Sequence, residues 1–401
     1  MVKIYFLLLT TLILFSCERD EEDYTIFKYY GSASEDIGFS VAIANDGYLI
    51  CGQMTEIVKT EVGNEYLKRL AVIKTGFDGN RIWKQTFGDT LTAVGSKIII
   101  LEDGSVVCSG YAIDPITEEK DIYIVKMNSD GTNADGKVYK TPGNQTSSDI
   151  LKTSQGFLVL GTTDTKSLQG TDATGNIEGN TDILLLRLDN SLDLTAAPIA
   201  VGYPGNDIGV SLRPDLKGGF IIAGTTDNSA SGLSGSNIFV VQTNQDCNSR
   251  QSVILGGTDN EYAADLEVVN DGYLISGTVI SQASGKESVY VLKISDDNLY
   301  EPPLFNITIP SVNSRTVNAM NRFKNNYFVL AGQEGTSTTS EMFFILIDQE
   351  GNPVEGKEYV TGGTGVQVAN DVVSDSEGNV IAVGKNTYES NSMITLLKFR
   401  F

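Results

Sequence analysis

The feature that most restricts this chain is a turn followed by a short apolar run that closes on glycine, met seven times along its length. Gly47-Tyr-Leu-Ile-Cys-Gly52, Gly156-Phe-Leu-Val-Leu-Gly161, Gly219-Phe-Ile-Ile-Ala-Gly224 and Gly272-Tyr-Leu-Ile-Ser-Gly277 are close copies of one another. Gly104-Ser-Val-Val-Cys-Ser-Gly110, Asn326-Tyr-Phe-Val-Leu-Ala-Gly332 and Gly378-Asn-Val-Ile-Ala-Val-Gly384 are looser ones. The closing glycines recur at intervals of roughly 50 to 60 residues, the period of propeller blades.

Each copy follows another strand-like run across a tight turn, as in Phe39 to Ile43 before Asn45-Asp46-Gly47. Asp-Gly there accepts the positive φ that a hairpin needs. A second apolar run comes after each copy: Leu70 to Lys74, Ile122 to Lys126, Ile183 to Arg187, Ile238 to Gln242, Val289 to Lys293, Phe343 to Ile347 and Ile394 to Lys398. Short runs rich in β-branched and aromatic residues read as strands buried on both faces. Further turns such as Asp78-Gly79-Asn80 lead to outer strands such as Ile82 to Thr86, giving four strands per unit.

The last unit ends at Phe401 after its third strand, whereas residues 25 to 30 form a strand with no repeat in front of it. The expectation is an all-β, seven-bladed β-propeller over residues 24 to 401, its ring closed when the 25–30 strand joins the carboxy-terminal blade. Such closure removes an edge that would invite aggregation. The repeats resemble glycine-rich propeller repeats of secreted Bacteroidota proteins, carried by the Gly-aromatic-aliphatic-aliphatic-x-Gly runs and the Asp-Gly hairpins. That resemblance implies fold and no ligand. Phe77-Asp78-Gly79-Asn80-Arg81-Ile82-Trp83 is faintly similar to a sialidase Asp-box, itself a structural turn, so no sialidase chemistry is expected from it.

Residues 1 to 16 place Lys3 ahead of an apolar run that stops at Cys17, too short to span a membrane comfortably, and so read as a signal peptide. Leu14-Phe15-Ser16-Cys17 resembles the lipobox of bacterial lipoproteins, which implies that Cys17 is acylated. Residues 17 to 23 then form the anchor and an acidic linker, Glu18 to Asp23. That linker is similar to the acidic stretch of surface-exported Bacteroidota lipoproteins, and a simple solvated spacer would look the same. The implied location is the outer membrane, lipid-anchored and surface-exposed.

The formal charge of −22 repels phosphate-rich polymers, so nucleic acid is not expected as a partner. The chain has no histidine, which excludes serine-histidine and cysteine-histidine catalysis and the commonest ligand of zinc, copper and iron. Cys51, Cys108 and Cys247 have no metal-ligand spacing, and Cys51 and Cys108, each near the end of an apolar strand run, read as small buried residues rather than a disulfide. Neither a metal nor a cofactor is expected. In the 162–181 segment and just beyond it Asp164, Asp172, Asn176, Glu178, Asn180 and Asp182 offer oxygen ligands without an EF-hand pattern, so a polar loop is favoured there over a calcium site.

The connections after the second strands are long and variable: 53–69, 111–120, 162–181, 225–236, 278–287, 333–341 and 385–392. Variable loops on a rigid scaffold concentrate binding residues. On this loop face the candidate ligand-binding residues are Tyr111, Tyr203, Asn206, Asp207, Asp259, Glu261, Tyr262 and Arg315. Tyrosines set beside amides and carboxylates suit sugars, although Gly, Asn and Asp are also what turns prefer. Ser40, Asp149, Asp265 and Asp371 recur near the start of the innermost strands, where they either line the channel as carboxylates or bond backbone groups. The expected function is a monomeric, non-catalytic binding or scaffold protein that recognises a glycan or a partner protein of the outer membrane or exterior. The alternative is a carboxylate-based glycoside hydrolase or lyase.

Overall fold

Turn chemistry sets the local structure. Gly47 closes a hairpin at φ +149°, where a Cβ would strike the Thr75 carbonyl oxygen at 1.9 Å. On other hairpins an aspartate caps its own turn: Asp375 Oδ1 accepts the N–H groups of Glu377 and Asn379, and Asp348 Oδ1 those of Glu350 and Asn352.

In the computed structural model, residues 25–31, 34–60, 63–89, 91–165, 181–228, 233, 235–324, 326–389 and 391–401 are described. The anchor region, with Cys17, and most of the 162–181 segment, with Asp172, Asn176, Glu178 and Asn180, lie outside them. The described residues are all-β. After β1 (Ile26–Tyr30) comes a four-stranded antiparallel sheet of β2 (Ile37–Ala44), β3 (Gly47–Thr60), β4 (Gly63–Thr75) and β5 (Arg81–Phe87). A second holds β6 (Thr92–Ile100), β7 (Val106–Ile113), β8 (Lys120–Met127) and β9 (Asp135–Tyr139). A third holds β10 (Gln145–Thr153), β11 (Gly156–Thr163), β12 (Asp182–Leu188) and β13 (Ile199–Val201). The fourth consists of β14 (Asp207–Pro214), β15 (Phe220–Thr226), β16 (Asn237–Thr243) and β17 (Arg250–Leu255). The fifth consists of β18 (Asn260–Val269), β19 (Gly272–Ile280), β20 (Glu287–Ser295) and β21 (Phe305–Ile309).

Two further groups are joined by a parallel bridge between Ser340 and Val366. One is β22 (Arg315–Phe323), β23 (Tyr327–Gly335), β24 (Ser340–Asp348) and β25 (Pro353–Thr361). The other is β26 (Val366–Ser374), β27 (Val380–Tyr388) and β28 (Asn391–Phe399), with β1 as its outer strand. Ile26 lies opposite Lys398 and Tyr30 opposite Ile394. Four-stranded sheets packed side by side with their first strands innermost are propeller blades.

Because the middle strands are apolar on both faces, cores form between adjacent sheets. Leu49, Cys51 and Val72 pack against Cys108, Tyr123 and Val125, and Tyr48 and Ile50 against Ile381, Val383 and Leu396 of the last sheet. Each fully buried aliphatic side chain contributes about 1.5–3 kcal/mol. Cys51, Cys108 and Cys247 are buried free thiols. Outer strands rest on the next sheet's turn: the Tyr139 hydroxyl donates to Leu192 O at 2.7 Å, and the Tyr30 hydroxyl to Gly79 O at 2.6 Å.

Two loop expectations fail. Of residues 53–69, read as an irregular loop, 53–60 instead continue β3 and 63–69 belong to β4, forming a ribbon in which Ile57 pairs with Tyr66 and Val58 with Glu65. Cross-strand pairing on both faces stabilises strand over loop there. Residues 385–388 and 391–392, read as part of a long loop, belong to the paired strands β27 and β28, with Lys385 opposite Ile394 and Tyr388 opposite Asn391.

Candidate functional site

Every inner strand carries a register shift at the same place, between Gly38 and Ser40, Gly95 and Lys97, Ser147 and Asp149, Gly209 and Ser211, Ala263 and Asp265, Val317 and Ala319, and Ala369 and Asp371. A bulge re-aims the side chains around it. Here it turns residues of these inner strands into a central cavity of about 420 Å³, lined by Lys97, Asp149, Asp265, Asn318, Asn370 and Asp371 among others.

Of the recurrent polar residues, Asp149, Asp265 and Asp371 do line the cavity and also bond backbone, whereas Ser40 is fully buried and does not line it. Asp371 Oδ2 accepts the Ser40 hydroxyl at 2.7 Å and Val41 N–H at 3.0 Å. Ser40 in turn accepts Ile98 N–H at 3.3 Å. Asp149 Oδ2 accepts Leu212 N–H at 2.9 Å, and Asp265 Oδ2 accepts Met320 N–H at 3.1 Å. Each bond runs from one sheet to the next. Asn318 and Asn370 donate to Ala369 O and Gly38 O in the same direction.

Arg213 ties the belt together, donating to Asp149 at 3.1 Å and Asp265 at 2.9 Å, with Glu267 at 3.8 Å. Burial opposes its charge, but Asp265, Asp149 and Glu267 outweigh burial and hold the guanidinium firmly protonated. Lys97 lies 3.6 Å from Asp371. Burial disfavours its ammonium too, and Asp371, Asp149 and Asp265 overcome that and raise it. Glu267 behaves differently: burial pushes its carboxyl up to about 7, Arg213 draws it down and Asp265 adds to the rise. Nothing in the local sequence pattern marks Arg213 or Glu267, because their partners come from other sheets.

Of the eight loop-face candidates, Tyr203, Asn206 and Asp207 lie at the β13–β14 link, Asp259, Glu261 and Tyr262 at the β17–β18 link, Arg315 at the start of β22 and Tyr111 within β7. Asp207 is fully buried and accepts Tyr203 N–H at 2.6 Å, clamping its own turn. Glu261 clamps Gly257 in the same way, and Gln145 and Gln367 hold equivalent turns. The Tyr203 hydroxyl meets Ser252 at 2.8 Å and its ring lies 5.3 Å from Phe239. Asn206 donates to Asp227 at 2.6 Å, and Asp259 accepts Gln282 N–H at 2.9 Å. Tyr262 stays 39% exposed, touched by the Ser236 hydroxyl at 3.2 Å. The Lys120 ammonium sits 5.0 Å over the Tyr111 ring. Arg315 is buried, bonded to Glu334 at 2.6 Å and to both carboxylate oxygens of Glu358, with Phe343 beneath it. Among the described residues no group of three or more cysteines and carboxylates is placed to hold a metal ion.

No known protein-family profile matches the sequence, and no curated protein matches it. Solved structures do match in shape. A protein of unknown function from Dyadobacter fermentans superposes with a TM-score of 0.52 at 11% identity, over 78% of this chain and 96% of that one. An acylaminoacyl peptidase from Pyrococcus horikoshii gives 0.50 at 11% identity, over 92% of this chain and 51% of that one. This chain therefore spans about half the peptidase. The β-propeller domain of the Trilobed protease from Pyrococcus furiosus gives 0.47 at 10% identity, over 91% and 94% of the two chains. At such identities the likeness concerns the fold alone.

Proposed function

We propose that this chain is an exported lipoprotein, anchored in the outer membrane through Cys17, whose closed seven-bladed propeller binds a partner protein through its loop face without catalysis. Seven blades are supported by the twenty-eight strands among the described residues, which fall into fours. The lipid anchor rests on the sequence of residues 1–17. The protein acts as a monomer.

The observation that carries the binding role is the ribbon of residues 54–69. Inner strand β2 pairs with β3 only as far as Gln53, and outer strand β5 begins to pair with β4 at Leu70. Beyond these points the two ribbon strands pair with each other, leaving outward edges and an Ile57–Tyr66 pair that is 51% and 58% exposed. Exposed apolar pairs and outward strand edges are protein-binding features. A glycan would instead favour the tyrosine-bearing links, whose polar groups are engaged in their own turns. Capture of outer-membrane proteins by the chain, compared with a variant in which residues 54–69 are replaced by a two-residue turn, tests the proposal. Capture that survives the replacement would overturn it.

Glu267 is the observation that favours the hydrolase alternative, since a carboxyl near 7 beside Arg213 is suited to general acid work. Its neighbours Asp149 and Asp265 are saturated by hydrogen bonds to backbone and Arg213. Polysaccharide turnover that disappears in Glu267→Gln while the fold survives would establish that reading instead.

A further inference from the structure

The link between β13 and β14 brings together two acids that the other links keep apart. Asp182 and Asp207 are 4% and 0% exposed. A Cβ on Gly202 would lie 2.1 Å from Asp182 Oδ1 and 2.5 Å from Asp207 Oδ2, so the two carboxyls face each other across one backbone carbon. When the repeats are aligned on their closing glycines, the flanking links pair Asp121 with Gln145 and Asn237 with Glu261. Among the described residues no other link sets a carboxylate against a carboxylate in this way.

Two buried negative charges at this range cannot both persist without neutralisation. Among the described residues no lysine or arginine forms an ion pair with Asp207, and its Oδ1 has no hydrogen-bond partner there. Among the described residues the charged groups facing it are Asp182, at the start of β12, and Asp227, just past β15; both are acidic. Its remaining neighbours are the Thr226 hydroxyl and Tyr203 N–H.

We infer that Asp207 keeps a proton at neutral pH and shares it with Asp182, so that this link is a pH-sensitive latch. It stands at the start of β12, where Asp207 N–H donates to Thr181 O at 2.8 Å. Burial is the main cause that carries the Asp207 carboxyl up to about 7. Thr226 and Tyr203 work against the rise, and Asp182 and Asp227 add to it. Above that pH the proton leaves to solvent and two buried carboxylates repel.

Denaturant unfolding of the full chain between pH 5 and pH 8 tests the latch. Folding should hold close to one extra proton on Asp207 near pH 6, so stability falls as pH rises and Asp207→Asn shows a slope smaller by about one proton. Asp182→Asn should keep the proton but move its midpoint to lower pH, and this readout stands even where Asp207→Asn fails to fold. Equal slopes in wild type and Asp207→Asn, or an unmoved midpoint in Asp182→Asn, would overturn the inference. So would calcium chloride raising the unfolding midpoint of wild type at pH 6 but not that of Asp207→Asn, because a cation and not the proton would then neutralise the pair.

Discussion

The Asp371 carboxylate accepts the hydroxyl of Ser40 at 2.7 Å, although the two residues are 331 positions apart. The same oxygen takes Val41 N–H, and Asp371 Oδ1 takes Val372 N–H at 3.0 Å. One side chain of the last sheet therefore satisfies buried donors of the first. Replacing Asp371 with Ala strands those donors away from water, and each such group costs about 1–3 kcal/mol. Urea unfolding should show Asp371→Ala to be destabilised by about 3 kcal/mol, with Asn recovering part of the loss. A change under about 0.5 kcal/mol would mean that the contact contributes nothing across the junction.

Arg213 faces the converse problem. Its guanidinium bridges Asp149 and Asp265 because a planar fork can address two carboxylates at once, which an ammonium cannot do in the same geometry. Arg213→Met leaves both aspartates and Glu267 without their cation and should cost about 3–5 kcal/mol at neutral pH. Lysine should restore less than half of that. The loss should shrink as pH falls and the carboxyls protonate, and a pH-independent loss in urea titrations would argue that Arg213 acts through packing alone.

The closing glycines were legible in sequence because the fold has no substitute for them. A Cβ on Gly52 would lie 2.0 Å from Ile37 O, and one on Gly384 1.8 Å from Val368 O, so the second strand can approach the inner one only where no side chain intervenes. The bulges left no such mark. Lys97, Ser211 and Ala319 occupy the position of Asp149, Asp265 and Asp371, and one inserted residue does not disturb an apolar pattern read over nine. Glu56-Ile57-Val58-Lys59 has no polar-apolar alternation, so the ribbon resembled a loop. The chemistry of Tyr203, Asp207 and Glu261 is visible in the sequence, while the turn clamps that employ them depend on backbone geometry that composition does not display.

Glu267 gives stability a predictable slope. Its folded carboxyl titrates at about 7 against an ordinary value of 4.5, with burial as the principal cause. An acid raised in this way holds its proton more tightly in the folded state. Its contribution is therefore full below pH 4.5, declines as pH rises to about 7 and is constant above that. Glu267→Gln removes the titration, so the variant should be more stable than wild type at pH 8, by no more than about 3 kcal/mol, and should lose that advantage by about pH 4. Paired denaturation curves at the two pH values decide the matter. A variant weaker than wild type at pH 8 would show that the Arg213 attraction exceeds the cost of burial.

Tyr30 tests what the first strand does for the last sheet. It is 7% exposed, packs with Ile394 and Leu396, and donates its hydroxyl to Gly79 O across the junction with the first sheet. Tyr30→Phe keeps the packing and strands only that carbonyl, so it should cost about 1 kcal/mol. Tyr30→Ala also opens a cavity and should cost about 3–5 kcal/mol. Deleting residues 25–30 goes further, since β28 would then present a row of unpaired backbone groups along its outer edge. The deletion should elute as oligomers in size-exclusion chromatography and melt well below the parent chain. A shortened chain that stays monomeric and melts unchanged would mean that β1 is an ornament on an already closed ring.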